Sequence, residues 1–163
     1  MLIRAIKPGD WPLIAAVQQQ CYQDLEPESL AVLQNKWQLS PESCFVMVIR
    51  ERVQGYCLAH PWLDGMPPEL DQILGPCDAP DTLYLHDIAV SSEARGNGFA
   101  TQAFRRLVQF ALQQQLGSVS LVAVQGAEDY WQMLGFSQAT AKKSLSNYPE
   151  NACYMRYSLS RTI

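Results

Sequence analysis

The chain has 163 residues, of which 48% are hydrophobic and 17% charged, with a formal net charge of −4. That is the balance of one globular domain, expected over 1–163, long enough to bury a core. It lacks the basic surplus that binding nucleic acid requires, while its acidity mildly favours a cationic substrate.

Cys21, Cys44, Cys57, Cys77 and Cys153 are scattered, odd in number and without a CxxC pair. Neither a disulfide framework nor a metal site is therefore expected. The opening MLIRAIKPGDW has no apolar signal core, and no apolar run reaches the ~18 residues of a membrane span. A cytoplasmic protein with no membrane partner is the expectation.

In chain order, Leu2 to Ile6 predicts a strand ended by the turn Lys7-Pro8-Gly9. Asp10 is placed to cap a helix carrying Leu13, Ile14, Ala16, Val17 and Cys21, with Pro12 in its first turn. A second helix is expected from near Pro27 to Trp37. Cys44 to Ile49 and Val53 to Ala59 read as strands, with Glu51-Arg52 between them as a tight hairpin. From Trp62 to Asp81 lie Pro67, Pro68, Pro76 and Pro80, with Gly65 and Gly75. A loop this long inside a compact domain is expected to be a substrate-side flap.

Tyr84 to Val90 is a short apolar strand with His86 and Asp87 in its middle. Arg95-Gly96-Asn97-Gly98-Phe99-Ala100 then turns into a helix whose apolar positions are Phe99, Ala103, Phe104, Leu107, Val108, Ala111 and Leu112. Val119 to Val124 predicts a buried strand, Ala127 to Leu134 a short helix stopped by Gly135, Phe136 a further strand start, and Asn151 to Leu159 the last strand. The order βααβββαβαββ mixes hairpins with crossovers, so the fold class is α/β with a mixed sheet.

A glycine turn opening a helix leaves unpaired N–H groups at the positive end of the helix dipole, a site suited to phosphate. A Walker A loop would need Lys and Ser/Thr at its end, whereas Ala100-Thr101 follows Phe99. A dinucleotide fingerprint would want Gly or Ala where Thr101 stands, and an acidic residue where Gln125 follows Val124.

Arg95-Gly96-Asn97-Gly98-Phe99-Ala100 instead resembles the R/Q-x-x-G-x-G/A pyrophosphate motif of the GNAT superfamily of acyl-CoA-dependent N-acetyltransferases. The Ile88-Ala89-Val90 strand end stands before it and a helix follows, as in that family. Ala127, Tyr130, Trp131 and Gly135-Phe136 are similar to the family's later A-x-x-F-Y-x-x-x-G-F block. The likeness covers most of the chain from Leu2 onward. Leu83 to Val90, with its histidine, also resembles the arylalkylamine N-acetyltransferase branch.

The resemblance implies a largely antiparallel mixed sheet with helices on both faces and a splayed parallel pair, Leu83–Val90 and Val119–Val124. It implies acetyl-CoA as co-substrate, with the main chain of Ile88, Ala89 and Val90 along the pantetheine arm. The amides from Gly96 through Asn97, Gly98, Phe99 and Ala100 to Thr101, beside Arg95, would hold the pyrophosphate, and Trp131 would wall the pocket. Transfer to a small-molecule primary amine would be direct, with one strand amide polarising the thioester carbonyl. His86 is the expected base, because an imidazole titrates near neutral pH. Asp87 is expected on the opposite face by strand alternation. The family's tyrosine acid falls at Trp131, leaving either Tyr130 in that role or no side-chain acid.

Other residues carry weaker expectations. His60 is read as the start of the flap, Tyr148 as a turn residue near the rim, and Tyr22, Trp37 and Trp62 as packing or pocket aromatics. Arg105 and Arg106 are read mainly as solvated helix surface. Cys57 is not expected to act as a nucleophile. A non-catalytic acyl-CoA-binding module and a protein N-terminal or lysine acetyltransferase are the alternative functions, and a homodimer is left open.

Overall fold

The computed structural model describes residues 1–22 and 27–159. Its elements are β1 (Leu2–Ala5), α1 (Trp11–Cys21), α2 (Leu30–Leu39), β2 (Phe45–Ile49), β3 (Arg52–Trp62), β4 (Thr82–Val90), α3 (Phe99–Gln113), β5 (Ser118–Ala123), α4 (Glu128–Met133), β6 (Ser137–Gln138) and β7 (Cys153–Ser158). This is the expected βααβββαβαββ order. The strands form one sheet in the order β1-β2-β3-β4-β5-β7-β6. Every pairing is antiparallel except β4 with β5.

Several boundaries move for local reasons. The second helix starts at Leu30 because Ser29 caps it, its hydroxyl accepting from the Val32 N–H at 3.2 Å. Asp10 precedes α1, but its carboxylate serves the turn before it: Oδ2 accepts from the Lys7 N–H at 2.7 Å. The same carboxylate takes a two-pronged contact from Arg4, at 2.8 and 2.9 Å. The hairpin turns on Arg50 and Glu51, both left-handed (φ 52° and 62°), which matches the strand twist of a two-residue loop. Phe136 packs into the core, and the strand after it is only Ser137–Gln138.

Each sheet face carries its own core. On one, α3 lays Phe99, Ala103, Phe104, Leu107 and Ala111 against Leu83, Leu85, Val119 and Leu121. Fully burying each leucine- or phenylalanine-sized side chain contributes roughly 1.5–3 kcal/mol. On the other, α1 and α2 bring Ile14, Val17 and Leu33 onto Val46, Tyr56, Leu58 and Ala89. Trp37 packs there too, its ring 5.6 Å from that of Trp11.

One irregularity shapes the centre. Between β3 and β4 the register runs Leu58↔Asp87 and then Ala59↔Leu85, so β4 carries one extra residue. A bulge of this kind bends the strand and turns neighbouring side chains to one side. The expected opposition of His86 and Asp87 is thereby overturned: both border the cavity on the α1/α2 side. No helix among the described residues is long and apolar enough to cross a membrane.

Candidate active site

Strands β4 and β5 are in register only for Thr82–Tyr84 against Ser118–Ser120. Hydroxyls lock this closed end: Ser118 Oγ donates to Thr82 Oγ1 at 2.7 Å, and Thr82 Oγ1 lies 2.9 Å from Ser120 Oγ. Beyond it the strands part, and a cleft of about 340 Å³ opens between Leu85–Val90 and Leu121–Gln125. The bulge lies where the parting begins, and the bend it imposes on β4 accounts for the splay.

The backbone on the β4 side of this cleft is selective. Ile88 and Val90 border the cleft; Ala89 does not. A Cβ on Gly55 would stand 2.9 Å from the Ala89 carbonyl oxygen, so that carbonyl faces β3. Successive backbone groups alternate sides along a strand, which turns the N–H groups of Ile88 and Val90 toward the cleft. The Val90 carbonyl already receives the Cys21 thiol at 3.2 Å, and the Tyr22 hydroxyl oxygen lies 3.2 Å from the Ile88 carbonyl.

At the open end, Ala94 to Thr101 line a second hollow of about 450 Å³. Gly96 and Gly98 are both left-handed (φ 88° and 74°), and a Cβ at either would meet nothing within 4 Å. The space over the loop is therefore open as well as conformationally reserved for glycine. Asn97 holds the turn through its side-chain amide, which donates to the Ala94 carbonyl at 2.7 Å. Helix α3 then starts at Phe99, whose ring is buried in the core, leaving only its backbone to face the loop. First-turn N–H groups have no partner inside a helix, so this end presents amides to a ligand.

Tyr130 and Trp131, adjacent in α4, diverge. Trp131 is buried, borders the cleft and packs on Phe136 at 5.4 Å. Tyr130 is exposed and borders both the cleft and the glycine-loop hollow, which Thr101 also lines. Burial of part of the side chain raises its pKa, and Thr101 opposes that. It does not border the cavity on the α1/α2 side.

That third cavity, about 460 Å³, is lined by Tyr22, Glu28, Asp71, Tyr84, His86 and Tyr148, among others. His86 and Asp87 lie in the wall it shares with the cleft. His86 Nε2 is 2.8 Å from Glu28 Oε1, and Nδ1 is buried without a partner. Glu28 Oε2 also accepts the Asp71 N–H at 2.9 Å. Burial pushes the Glu28 pKa up, but His86, the Asp71 N–H and Lys36 hold it below the ordinary value overall.

Asp87 is the other buried carboxylate, accepting from the Tyr22 hydroxyl at 2.6 Å and the Tyr56 hydroxyl at 2.5 Å. Burial raises its pKa; the two hydroxyls and His86 oppose that without cancelling it. Tyr148 donates to the Pro68 carbonyl and lies 3.1 Å from the Tyr84 hydroxyl, with its own pKa pushed by burial to about 12.

The flap, whose Leu70 and Asp71 border this cavity, is tied down on both sides of it. Ser29 N–H donates to Asp71 at 3.1 Å, Asn35 exchanges two hydrogen bonds with Leu74 at 2.8 and 2.9 Å, and buried Lys36 donates to the Gln72 carbonyl at 2.5 Å. On the far side Leu70 N–H donates to Asn147 at 2.6 Å.

His60 does not begin the flap: it is fully buried in β3 with its ring 6.4 Å from that of His86, and burial lowers its pKa to about 3. Cys57 is fully buried with a raised pKa, which suits packing. The Arg106 guanidinium lies 5.6 Å over the Phe45 ring. Trp62 donates its indole N–H to the Met66 carbonyl at 2.9 Å, within the flap. Sequence reasoning missed Glu28, Asp71 and Tyr56. The one signal near Glu28 is Ser29, a helix cap that fixes the residue just before it. Among the described residues, no group of His, Cys, Asp and Glu side chains could hold a metal ion.

No curated protein matches the chain in sequence. Solved structures resemble it in fold. The loading GNATL domain of CurA from Lyngbya majuscula has a TM-score of 0.80 at 11% identity, covering 96% of each chain. Ard1 from Thermoplasma volcanium gives 0.75 at 17%, covering 98% of each. The ribosomal-protein-S18-alanine N-acetyltransferase from Escherichia coli gives 0.70 at 15%, covering 99% of this chain and 95% of that one. Residues 11–136 match the sequence profile of the acetyltransferase (GNAT) family. With that match over most of its length, the chain belongs to the GNAT family of acyl-CoA-dependent N-acyltransferases.

Proposed function

We propose that the protein transfers an acetyl group from acetyl-CoA directly to the primary amine of a small molecule. The observation that carries this reading is the meeting of two cavities at His86: the β4–β5 cleft, and an acidic chamber roofed by the flap. In the cleft, the Ile88 and Val90 N–H groups are disposed to receive the pantetheine arm and a thioester carbonyl, with Trp131 as the opposite wall. The amides following Gly96 and Gly98 suit a pyrophosphate. In the chamber, Glu28, Asp71 and Asp87 supply negative potential that the nearby Lys36 partly offsets, and none of the described residues lining it is Lys or Arg. A cation is therefore drawn in.

The amine must lose a proton to attack. Its lone pair forms the N–C bond, the C–S bond breaks with its electron pair on sulfur, and the departing proton goes to His86. No side-chain acid is needed for a thiolate leaving group, and Tyr130, which lines the glycine-loop hollow with Thr101, is better suited to the cofactor end. Structural neighbours include enzymes named for or bound to protein acceptors, the ribosomal-protein-S18-alanine N-acetyltransferase and NatC with a Gag peptide, but here the flap is tied to residues 28–29 and to 147–148. Those ties favour a compact acceptor over a peptide. The histidine strand and the tyrosines of the chamber keep arylalkylamines prominent among small amines.

The test is CoA release against a panel of arylalkylamines, polyamines, amino-acid amides and peptides. Turnover is expected with a small amine. Acyl-CoA binding without turnover on any acceptor would replace this reading with the non-catalytic module, and turnover on peptides alone would replace the acceptor class. Gly98→Trp fills the loop hollow and strains a left-handed site by about 1 kcal/mol. It is expected to abolish measurable acyl-CoA binding in calorimetry; retained affinity would refute the pyrophosphate assignment.

A further inference from the structure

We infer that Glu28 is a positioning residue for the proposed transfer, fixing the His86 tautomer so that Nδ1 is the nitrogen that accepts the amine proton. The inference rests on the reading of His86 as base. It starts from an asymmetry in one ring: Nε2 is 2.8 Å from a carboxylate oxygen, while Nδ1 is buried with no partner. An ionised carboxylate only accepts hydrogen bonds, so it requires the proton of a neutral imidazole on Nε2. Nδ1 is then left with its lone pair. In that tautomer the unpartnered buried atom is a lone pair rather than an N–H, the less costly of the two to leave without a partner.

The carboxylate is itself fixed. Oε2 accepts the Asp71 N–H of the flap and Oε1 meets His86, so one side chain joins the flap to the base. Ser29, the next residue, is held as the α2 cap and by its own N–H donation to Asp71. Neither end of Glu28 turns without breaking one of these contacts.

On transfer, the amine N–H bond breaks toward Nδ1, the Nε2–H bond stays intact, and Glu28 stabilises the resulting imidazolium as a fixed negative charge. The other groups around the ring are Lys36 on α2, His60 on β3, Asp87 on β4 and Asp71 on the flap, with the neutral phenols of Tyr22 and Tyr84. Among the described residues, the charged group hydrogen-bonded to the imidazole is Glu28.

The experiment combines imidazole ¹⁵N NMR on the whole protein with kinetics. His60 and His86 are the two histidines of the chain, and His86→Gln assigns the second set of signals. In the unsubstituted protein near neutral pH, His86 is expected to show a protonated Nε2 and an unprotonated Nδ1. Glu28→Gln keeps an acceptor for the Asp71 N–H but presents an N–H donor to His86. It should move the imidazole proton to Nδ1, lower kcat about 100-fold with the KM for acyl-CoA unchanged, and shift the acidic limb of kcat/KM down by about one pH unit. A protonated Nδ1 in the unsubstituted protein overturns the inference, as does Glu28→Gln with unaltered kcat and pH profile. If His86→Gln stays active while Glu28→Gln is dead, Glu28 takes the proton itself and the inference is overturned. If His86→Gln alters neither rate nor pH profile, the base reading fails instead, whatever the tautomer.

Discussion

The two faces of the sheet are built on different physics. Against α3 and α4 the core is apolar: Leu83, Leu85, Leu107, Val119 and Leu121 meet aromatic rings such as Phe104 and Phe136. Against α1 and α2, an apolar layer shares its space with Tyr22, Tyr56, His60, Tyr84, His86 and Asp87, all wholly or largely desolvated. The first face gains stability from nearly every residue it buries. The second keeps polar groups that cost free energy unless each finds a partner. Removing a side chain should therefore mainly unfold the protein on one face and mainly silence or retitrate it on the other.

The largest effect is expected on the polar face. His86→Gln should lower kcat by about 10²–10⁴-fold, with little change in Tm. A stopped assay with acetyl-CoA and the best acceptor from the panel, beside a thermal melt, checks both halves. On the dry face, Leu107→Ala removes a fully buried side chain and should cost about 2–5 kcal/mol in denaturant unfolding. Its kcat, per folded molecule, should match that of the unsubstituted enzyme; a loss of kcat would mean that the two faces are mechanically coupled.

A smaller effect discriminates within the polar face. Tyr56→Phe removes one of the two hydroxyls on Asp87 and should cost about 1–3 kcal/mol near neutral pH. The sign with pH follows from the carboxyl. Its folded pKa is raised, so the stabilising contribution of Asp87 is complete below the unfolded value of about 3.9. That contribution is lost as pH rises through the folded pKa. Losing the Tyr56 hydroxyl raises the folded pKa further, so the penalty should be larger at pH 7 than at pH 3.5 in urea melts. A pH-independent penalty would show that Tyr56 acts by packing alone.

The smallest effect is at Arg4 and Asp10, away from both cavities. There the Arg4 hydrogen bonds lower the Asp10 pKa, and the sign reverses. This stabilisation is present above the unfolded pKa and lost as pH falls through the folded one. Arg4→Met should cost about 1 kcal/mol at pH 7, vanishing in acid, with kcat unchanged.

The same division explains how much was legible in the sequence. Helix α3 was readable because its buried residues recur at helical spacing, and β5 because it is an apolar run between turn signals. The glycine loop was readable because Gly96 and Gly98 occupy left-handed positions that few other residues tolerate. The polar face was not. Whether Asp87 shares a side with His86 depends on the register against β3, which strand alternation cannot reveal. Glu28 reaches His86 across 58 positions of sequence from a segment with no periodicity. The flap was recognised by its prolines, but its attachments to Asn35, Lys36 and Asn147 involve side chains with no local pattern.

The extra residue in β4 also changes the phase of the strand. Before it, odd-numbered positions of the strand (Leu83 and Leu85) face α3, and after it even-numbered ones do (Ile88 and Val90). The strand is thus written in two phases joined at His86 and Asp87. Deleting one residue there would restore a single phase, put the polar edge of the cleft and the apolar layer on the wrong sides, and straighten the strand beside β5. A related chain that lacks the phase change should keep the sheet and lose the cleft, so a site of this kind can be sought in a sequence as a parity break ahead of a glycine turn.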